Sequence, residues 1–370
     1  MKIGFDAKRL FHNKTGLGYY SRTLVQSLLK EDDSLEVCLY DAQPNHSDHS
    51  LLFLAESKAK IITTGKPHWY YRSVDMNKYV SASEIDIFHG LSNELPLRKW
   101  NRKLPTIVTI HDILYKYFPA DFPWLDRQIY QFKTKNALEK ADRVIAISEA
   151  TKNAILQNFK VAEDKIQVIY QSYDPIFNQP TGKEEIDEIL KEYRVPAEYL
   201  LYVGSITHRK NLMVILQALN SLPAKKRIPL IVAGDGTSYL QLVKEYIASH
   251  QLNKWVYFLP NLPRMAIKIL YAGAQAVIYP SLGEGFGLPV LESIASNIPV
   301  ITSSLSSLPE AGGKLAYYFN PTSSEELLET LKKLNKVIWQ KKNAILRLDH
   351  LKKFSQDIMA KNYLTIYKSL

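Results

Sequence analysis

Short apolar runs alternate with helical stretches along the whole chain, and the alternation stops once and then restarts. The first series of apparent strands is Lys2–Phe5, Glu36–Tyr40, Ile85–His89, Thr106–Ile110 and Arg143–Ala146. Helical patterns run through Leu24, Leu28 and Leu29, and over Arg127–Lys140 and Ala150–Asn158. Near 170–200 a connection marked by proline and glycine interrupts the pattern. Strands at Tyr199–Val203, Leu230–Ala233, Trp255–Phe258, Ala276–Tyr279 and Val300–Thr302 then alternate with four helices. These helices are Leu212–Leu219, Tyr239–Ser249, Met265–Ala272 and Pro289–Ser296. Strands alternating with helices argue for a parallel sheet covered on both faces. An α/β chain of 370 residues with two such series predicts two doubly wound, Rossmann-like domains with a cleft between them. The expected boundaries are 1–175 and 176–353, with an amphipathic helix over 354–370 crossing back to the first domain through Ile358, Tyr363 and Ile366.

The most informative stretch for chemistry runs from Tyr279 to Glu292, as Tyr-Pro-Ser-Leu-Gly-Glu-Gly-Phe-Gly-Leu-Pro-Val-Leu-Glu. A buried strand, Ala276–Tyr279, feeds a loop carrying Gly283, Gly285 and Gly287, and Pro289 marks the first helical position. That order places a ligand at the carboxyl end of a parallel sheet. Glycines let backbone approach the ligand, and a helix N-terminus offers unpaired N–H groups to a phosphate. Glu284 is expected in the loop and Glu292 in the first helical turn, as acceptors at the two ends of one ligand. A sugar nucleotide has that polarity, with hydroxyls at each end and a diphosphate between. The competing reading is a tight strand-to-helix turn with solvated glutamates.

A second cluster follows strand Tyr199–Val203. Gly204 ends the strand, and Arg209 and Lys210 precede a helix. Two cations and a helix N-terminus would stabilise the charge developing on a diphosphate leaving group. The alternative is an exposed basic loop. In the first domain Gly16-Leu17-Gly18 lacks the third glycine of a dinucleotide fingerprint, since Ser21 stands there, and reads as a flexible loop facing the cleft. His111-Asp112 follows an apolar run, so His111 is either a histidine that bonds or polarises substrate or a structural one. His89-Gly90, with Ser92-Asn93-Glu94 beside it, is a lesser candidate of the same kind. No nucleophile elbow, clustered metal spacing or Asp-x-Asp diphosphate site is visible, so no metal and no resident cofactor are expected.

The net charge of +10 calls for an anionic partner. Basic clusters lie at Arg98–Lys103, which includes Trp100, and along Lys332–Lys353. Trp100 suits a membrane interface, so the first cluster is either a solvated loop or a peripheral contact with anionic lipid. No nucleic-acid module appears, and nucleic acid is not expected as a partner. One cysteine, no signal-peptide pattern and no apolar stretch of membrane-spanning length predict a cytoplasmic protein, at most seated on the inner face of the membrane.

These residues together resemble the retaining glycosyltransferases of family four, which have the two-domain GT-B fold. The resemblance runs through Lys2–Lys8 with Thr15-Gly-Leu-Gly-Tyr19, Val108–Asp112, Val144–Ser148, Tyr202–Asn211, Pro280–Glu292 and Ser307–Glu310. It implies that Glu284 contacts donor-sugar hydroxyls, Glu292 holds the ribose, and amides over Gly285, Phe286, Gly287 and Leu288 meet sugar and diphosphate. Arg209 and Lys210 would hold the diphosphate, His111 would lie near the reacting sugar, and Gly16 and Gly18 would lie under the donor. Many members carry arginine directly after the glycine equivalent to Gly204; here Ser205 stands there, which puts more weight on Arg209. The implied reaction moves a hexose, mannose among the candidates, from a GDP- or UDP-linked donor to a glycan or lipid-linked acceptor with the anomeric configuration kept. It implies no protein nucleophile, so paired carboxylates of the glycosidase kind are not invoked. A sugar-nucleotide epimerase of the same fold and a non-catalytic nucleotide-sugar-binding protein stay open as alternatives.

Overall fold

The computed structural model describes residues 1–13, 15–43, 59–63, 70–97, 103–236 and 238–370. Of the basic run Arg98–Lys103, only Lys103 lies within the described residues. The chain divides into two compact units, Met1–Ser172 with Phe354–Leu370, and Tyr173–Lys353.

The first unit is built on a sheet of seven strands in the order β3-β2-β1-β4-β5-β6-β7. They are β1 Lys2–Asp6, β2 Glu36–Tyr40, β3 Lys60–Ile62, β4 Ile87–Gly90, β5 Thr106–Ile110, β6 Arg143–Ala146 and β7 Ile166–Val168. The second unit has six strands in the order β10-β9-β8-β11-β12-β13. These are β8 Leu200–Val203, β9 Leu230–Ala233, β10 Val256–Leu259, β11 Ala276–Tyr279, β12 Val300–Ser303 and β13 Tyr317–Phe319. Every pairing is parallel. Strands β4, β5, β9, β11 and β12 are buried at every residue. Helices therefore cover both faces, which explains why these strands read as continuous apolar runs without alternation. The runs at β3, β7 and β13 carry no such signal, because exposed or half-buried residues break each of them.

In each sheet the strand order reverses beside the first strand of the unit, between β1 and β4 and between β8 and β11. At such a switch point the loops leaving the carboxyl ends diverge to opposite faces and open a crevice. The loops that follow β8 and β11 are those of Arg209-Lys210 and of Gly283–Gly287.

Two local expectations need correction. Gly16-Leu17-Gly18 is not a flexible loop: the helix Gly16–Glu31 begins there. Asn13 organises its start, with Oδ1 accepting from the Thr15 hydroxyl at 2.8 Å and from the amides of Thr15 and Gly18 at 2.8 and 3.1 Å. A Cβ on Gly18 would lie 1.8 Å from the Asn13 carbonyl oxygen, whereas one on Gly16 would meet nothing within 4 Å. The second correction concerns the helix after the glycine-rich loop. It spans Leu288–Ala295, one residue earlier than Pro289 suggests, so Glu292 stands in its second turn. Gly287 at φ 126° caps it, a backbone setting that relieves Leu288 of the turn.

The C-terminal helix Gln356–Lys368 belongs to the first unit and packs on helix Gly16–Glu31. Its Tyr363 and Tyr367 enter a buried hydroxyl network. The Tyr363 hydroxyl lies 2.5 Å from that of Tyr20 and 3.1 Å from Thr109, and Tyr367 lies 2.7 Å from His89 Nδ1. His89 Nε2 bonds Thr109 at 2.9 Å, and burial lowers its pKa to about 3, with His111 adding to the effect. His89 is thus a neutral core histidine with both ring nitrogens engaged, and not a ligand contact.

Candidate active site

At the carboxyl end of β8, Gly204 takes φ 141° and its carbonyl packs against the backbone of Gly234, whose Cβ position lies only 1.9 Å from it. The chain then enters a single 3-10 turn, His208–Lys210, and Asn211 at φ 54° turns it into helix Leu212–Asn220. The loop after β11 is laced to this turn. Leu282 donates its amide to the Arg209 carbonyl at 2.8 Å, and Arg209 Nη1 donates to the Gly283 carbonyl at 2.6 Å. Asn211 Nδ2 donates to the Pro280 and Pro321 carbonyls. One backbone bond and side-chain donors on backbone carbonyls therefore fix the two loops to each other.

Glu284 is 10% exposed and carries three contacts on one oxygen. Oε1 lies 2.7 Å from Lys210 Nζ and 3.0 Å from Arg209 Nη1, and accepts from the Tyr279 hydroxyl at 3.0 Å. Lys210 also donates to the Tyr279 hydroxyl and sits over its ring, 4.7 Å from the centroid. Burial alone would raise the Glu284 pKa, but Lys210 and then Arg209 outweigh it and hold the carboxyl below the usual carboxylate value. Ser306 and Ser307 secure the loop from outside, donating to the carbonyls of Glu284 at 2.6 and 3.0 Å, and Ser307 reaches Phe286 at 2.6 Å. A side chain at Gly287 would be strained by its φ of 126°, and its Cβ would press on the Leu308 side chain at 2.9 Å. Phe286 itself is buried.

Glu292 belongs to a separate group. Its Oε1 pairs with Arg264 Nη2 at 3.2 Å, and Oε2 accepts from the Tyr271 hydroxyl at 3.1 Å. Arg264 is shared with Asp174 at 2.6 Å. Burial dominates at Glu292 and raises its pKa above the ordinary value despite Arg264. The two glutamates expected to bracket one ligand are therefore electrostatically unlike, one held charged and the other pushed toward the neutral acid.

In the first unit, His111 follows β5 and is only 5% exposed. Its backbone amide donates to Asn93 Oδ1 at 2.8 Å. Nε2–H donates to the Leu91 carbonyl at 2.9 Å, and Gln171 Nε2–H donates to Nδ1 at 2.7 Å. Tyr20 meets the ring edge-on at 4.7 Å. Burial lowers the pKa to about 4, the Leu91 bond opposes it, and Arg9 adds to the lowering. The imidazole is neutral and fixed in one tautomer. It borders a cavity of about 200 Å³ whose walls include Arg9, Glu94, Tyr115, Tyr130 and Lys133. Glu94 is clamped between Arg72 at 3.1 Å and Lys133 at 2.8 Å, and Arg72 reaches Asp6 at the end of β1. Buried Arg72 stands in a π-helical turn, Tyr71–Asp75, a distortion found frequently at functional sites.

The structure brings Arg209, Lys210 and Glu284 together; Gly204 follows β8, and Gly285, Phe286, Gly287 and Leu288 run from Glu284 into the first position of helix Leu288–Ala295. Arg264, Tyr271 and Tyr279 were not singled out from sequence. Tyr279 was findable, being the last residue of a strand that feeds the loop. Arg264 and Tyr271 carried no local signal, because only the packing of helix Arg264–Gly273 brings them to Glu292.

Residues 14–176 match the sequence family described as Glycosyltransferase Family 4, and residues 184–342 match Glycosyl transferases group 1. The chain belongs to these glycosyltransferases. Together the two matches account for most of it. O-antigen chain mannosyltransferase B of Escherichia coli is 27% identical to this glycosyltransferase over the whole of both chains. O-antigen chain mannosyltransferase RfbU of Salmonella typhimurium is 29% identical over 62% of the present chain and 61% of its own length. Among solved structures, Anabaena Alr3699/HepE in complex with UDP-glucose superposes with a TM-score of 0.76 at 18% identity, covering all of both chains. WaaG, a glycosyltransferase involved in lipopolysaccharide biosynthesis, superposes with a TM-score of 0.67 at 15% identity over 98% of this chain and 95% of its own. The fold of this glycosyltransferase is accordingly GT-B. Among the described residues, no helix is long and apolar enough to cross a membrane.

Proposed function

We propose that this glycosyltransferase moves a hexose, mannose in particular, from a GDP- or UDP-linked donor to a hydroxyl of a glycan or lipid-linked acceptor, with the anomeric configuration retained. The observation that carries the reading is the Glu284 carboxylate seated on Lys210 and Arg209, where the sheet order reverses and a glycine-rich loop meets a helix N-terminus. A donor diphosphate would draw the two cations away from the carboxylate, leaving Glu284 to accept from sugar hydroxyls. The cations then stabilise charge as the nucleoside diphosphate departs, which needs no metal ion. Glu292, with Arg264 and Tyr271, receives the ribose. Mannose rests on the E. coli and Salmonella relatives, whose names describe mannosyltransfer in O-antigen chains; a nucleotide sugar rests on the UDP-glucose bound to the Anabaena protein.

His111 sits in the acceptor-binding unit of this scheme. Neutral and doubly bonded, it serves through a fixed ring edge near the reacting sugar and takes no proton. Gly16 and Gly18, in the first turn of helix Gly16–Glu31, would lie under the donor. The reaction would run in the cytoplasm against the inner face of an anionic membrane. The outward stripe of helix Trp124–Lys140 supports that contact, with Trp124, Leu125, Ile129 and Phe132 between 46 and 65% exposed.

Incubating the protein with GDP-mannose and UDP-hexoses, with and without lipid-linked glycan, tests the reading. Product carrying the donor's anomeric configuration supports it. Altered sugar released without acceptor would indicate an epimerase, and nucleotide-dependent stabilisation with no turnover would indicate a binding protein.

A further inference from the structure

A second cavity, of about 330 Å³, lies wholly within the second unit and touches none of Arg209, Lys210, Glu284 and Glu292. Three helices and one short segment wall it. Lys268 comes from helix Arg264–Gly273, Ser296 and Asn297 from the end of helix Leu288–Ala295, Gln340 and Arg347 from helix Lys336–Lys352, and Thr181 from the segment after Pro175–Asn178. No carboxylate lines it among the described residues.

The charges in this wall are unbalanced. Lys268 is 4% exposed, yet among the described residues its ammonium has a single hydrogen bond, to the Pro180 carbonyl at 3.2 Å. An ammonium has three donors, so the contact leaves capacity unused. Arg347 donates from Nη1 to the Ala295 carbonyl at 3.0 Å, while its buried Nε makes no hydrogen bond. Neither cation forms an ion pair among the described residues. The Thr181 and Ser296 hydroxyl oxygens are likewise buried without a hydrogen-bond partner. Gln340 is committed to the Asn297 carbonyl at 2.8 Å, which fixes that side of the wall. Arg347 is half-buried, but Lys268 is buried, and a buried cation without a counter-charge costs several kcal/mol unless an anion meets it. One backbone carbonyl meets each cation, Pro180 for Lys268 and the helix-terminal Ala295 for Arg347, which leaves the remaining donors and both hydroxyls unexplained.

We infer that this cavity is a binding site for a phosphate group, held by Lys268 and Arg347 with hydrogen bonds from Thr181 and Ser296. The ligand is a small phosphomonoester, inorganic phosphate, or the phosphate of a lipid headgroup. It is a site apart from the donor diphosphate and does not depend on the donor reading. Helices Arg264–Gly273 and Leu288–Ala295 also carry Arg264, Tyr271 and Glu292, so the two sites share walls.

The test is a phosphate titration of the full chain at constant ionic strength, read by thermal unfolding and by equilibrium dialysis. Wild type should be stabilised by phosphate beyond chloride, and Lys268→Gln and Arg347→Gln should each weaken binding by about ten- to a hundredfold. The phosphate binding that Lys268→Gln weakens should persist in Arg209→Ala, whose loss is confined to the donor site. Dialysis keeps the comparison valid if a variant is less stable. A lipid source is read in parallel by sedimentation with phosphatidic acid vesicles: preferential loss of vesicle binding in Lys268→Gln assigns the headgroup. The inference is overturned if phosphate acts no differently from chloride while vesicles bind wild type and variant alike. It is equally overturned if binding is lost in Arg209→Ala and kept in Lys268→Gln.

Discussion

Lys210 Nζ lies 2.7 Å from Glu284 Oε1, and the loops that carry them leave adjacent strands, β8 and β11, at the point where the sheet order reverses. The pair is nearly buried on both sides, at 12 and 10% exposure. Breaking it should be costly and informative. Glu284→Gln keeps the shape and removes the charge, leaving Lys210 and Arg209 without their shared anion. A loss of about 3–5 kcal/mol is expected, as for other broken buried pairs. Donor saturation should restore part of it, because a diphosphate supplies the missing charge. Denaturant unfolding with and without donor nucleotide checks both halves, and kcat/KM should fall at least about a hundredfold.

The two glutamates should respond oppositely to pH. The folded pKa of Glu284 lies below its unfolded value of 4.5, so its contribution is present above that value and is lost as pH falls through the folded pKa. That of Glu292 is raised, so its contribution is present at low pH and declines as pH climbs from 4.5 through the folded pKa. Comparing Glu284→Gln and Glu292→Gln with wild type across pH 3 to 8 should show differences of opposite slope. Parallel slopes would refute the assignment.

His111 and His89 should make the first unit acid-sensitive. Their folded pKa values, about 4 and about 3, lie below the unfolded value of 6.5. Each therefore contributes stability that is complete above pH 6.5 and is lost as pH falls toward the folded value, on the order of 3 kcal/mol or more for each. In His89→Asn the stability profile should be flatter between pH 4 and 6.5. An unchanged profile would count against a buried neutral histidine.

Glu292→Ala should mainly raise the donor KM, and His111→Ala should mainly lower kcat. Gln171 offers a finer probe, because its side-chain amide donates to His111 Nδ1 at 2.7 Å. Gln171→Leu should lower kcat by about tenfold with KM little changed, by releasing the ring from its fixed orientation. Steady-state kinetics with both substrates varied would decide, and a KM effect alone would show that orientation is not the role.

Gly16 and Gly18 should part company. Gly18→Ala drives a Cβ into the Asn13 carbonyl and should cost several kcal/mol. Gly16→Ala meets open space at a helix start and should leave stability unchanged or raise it by up to about 1 kcal/mol. If Gly16 lies under the donor, the same variant should raise donor KM. Thermal unfolding and kinetics on the two variants separate packing from ligand approach.

The α/β class, the two strand series and the position of the glycine-rich loop are legible in the order of residues alone. Buried parallel strands are continuous apolar runs, and glycine and proline punctuate a strand-to-helix turn locally. The sequence also marked Glu284, Arg209 and Lys210 as chemistry-bearing, since each lies in a loop that leaves the carboxyl end of a strand. Weakly apolar strands such as β7 and β13 escaped, because half-exposed positions dilute the pattern. Which charge meets which emerges on folding: Glu284 rests on Lys210, Glu292 answers to Arg264 and Tyr271, and His111 is locked by Leu91 and Gln171. Sequence spacing is blind to such pairs, since helix packing and loop-to-loop backbone bonds bring them within a few ångströms. Burial, which sets the direction of each pKa, exists only once the layers have closed over the sheet.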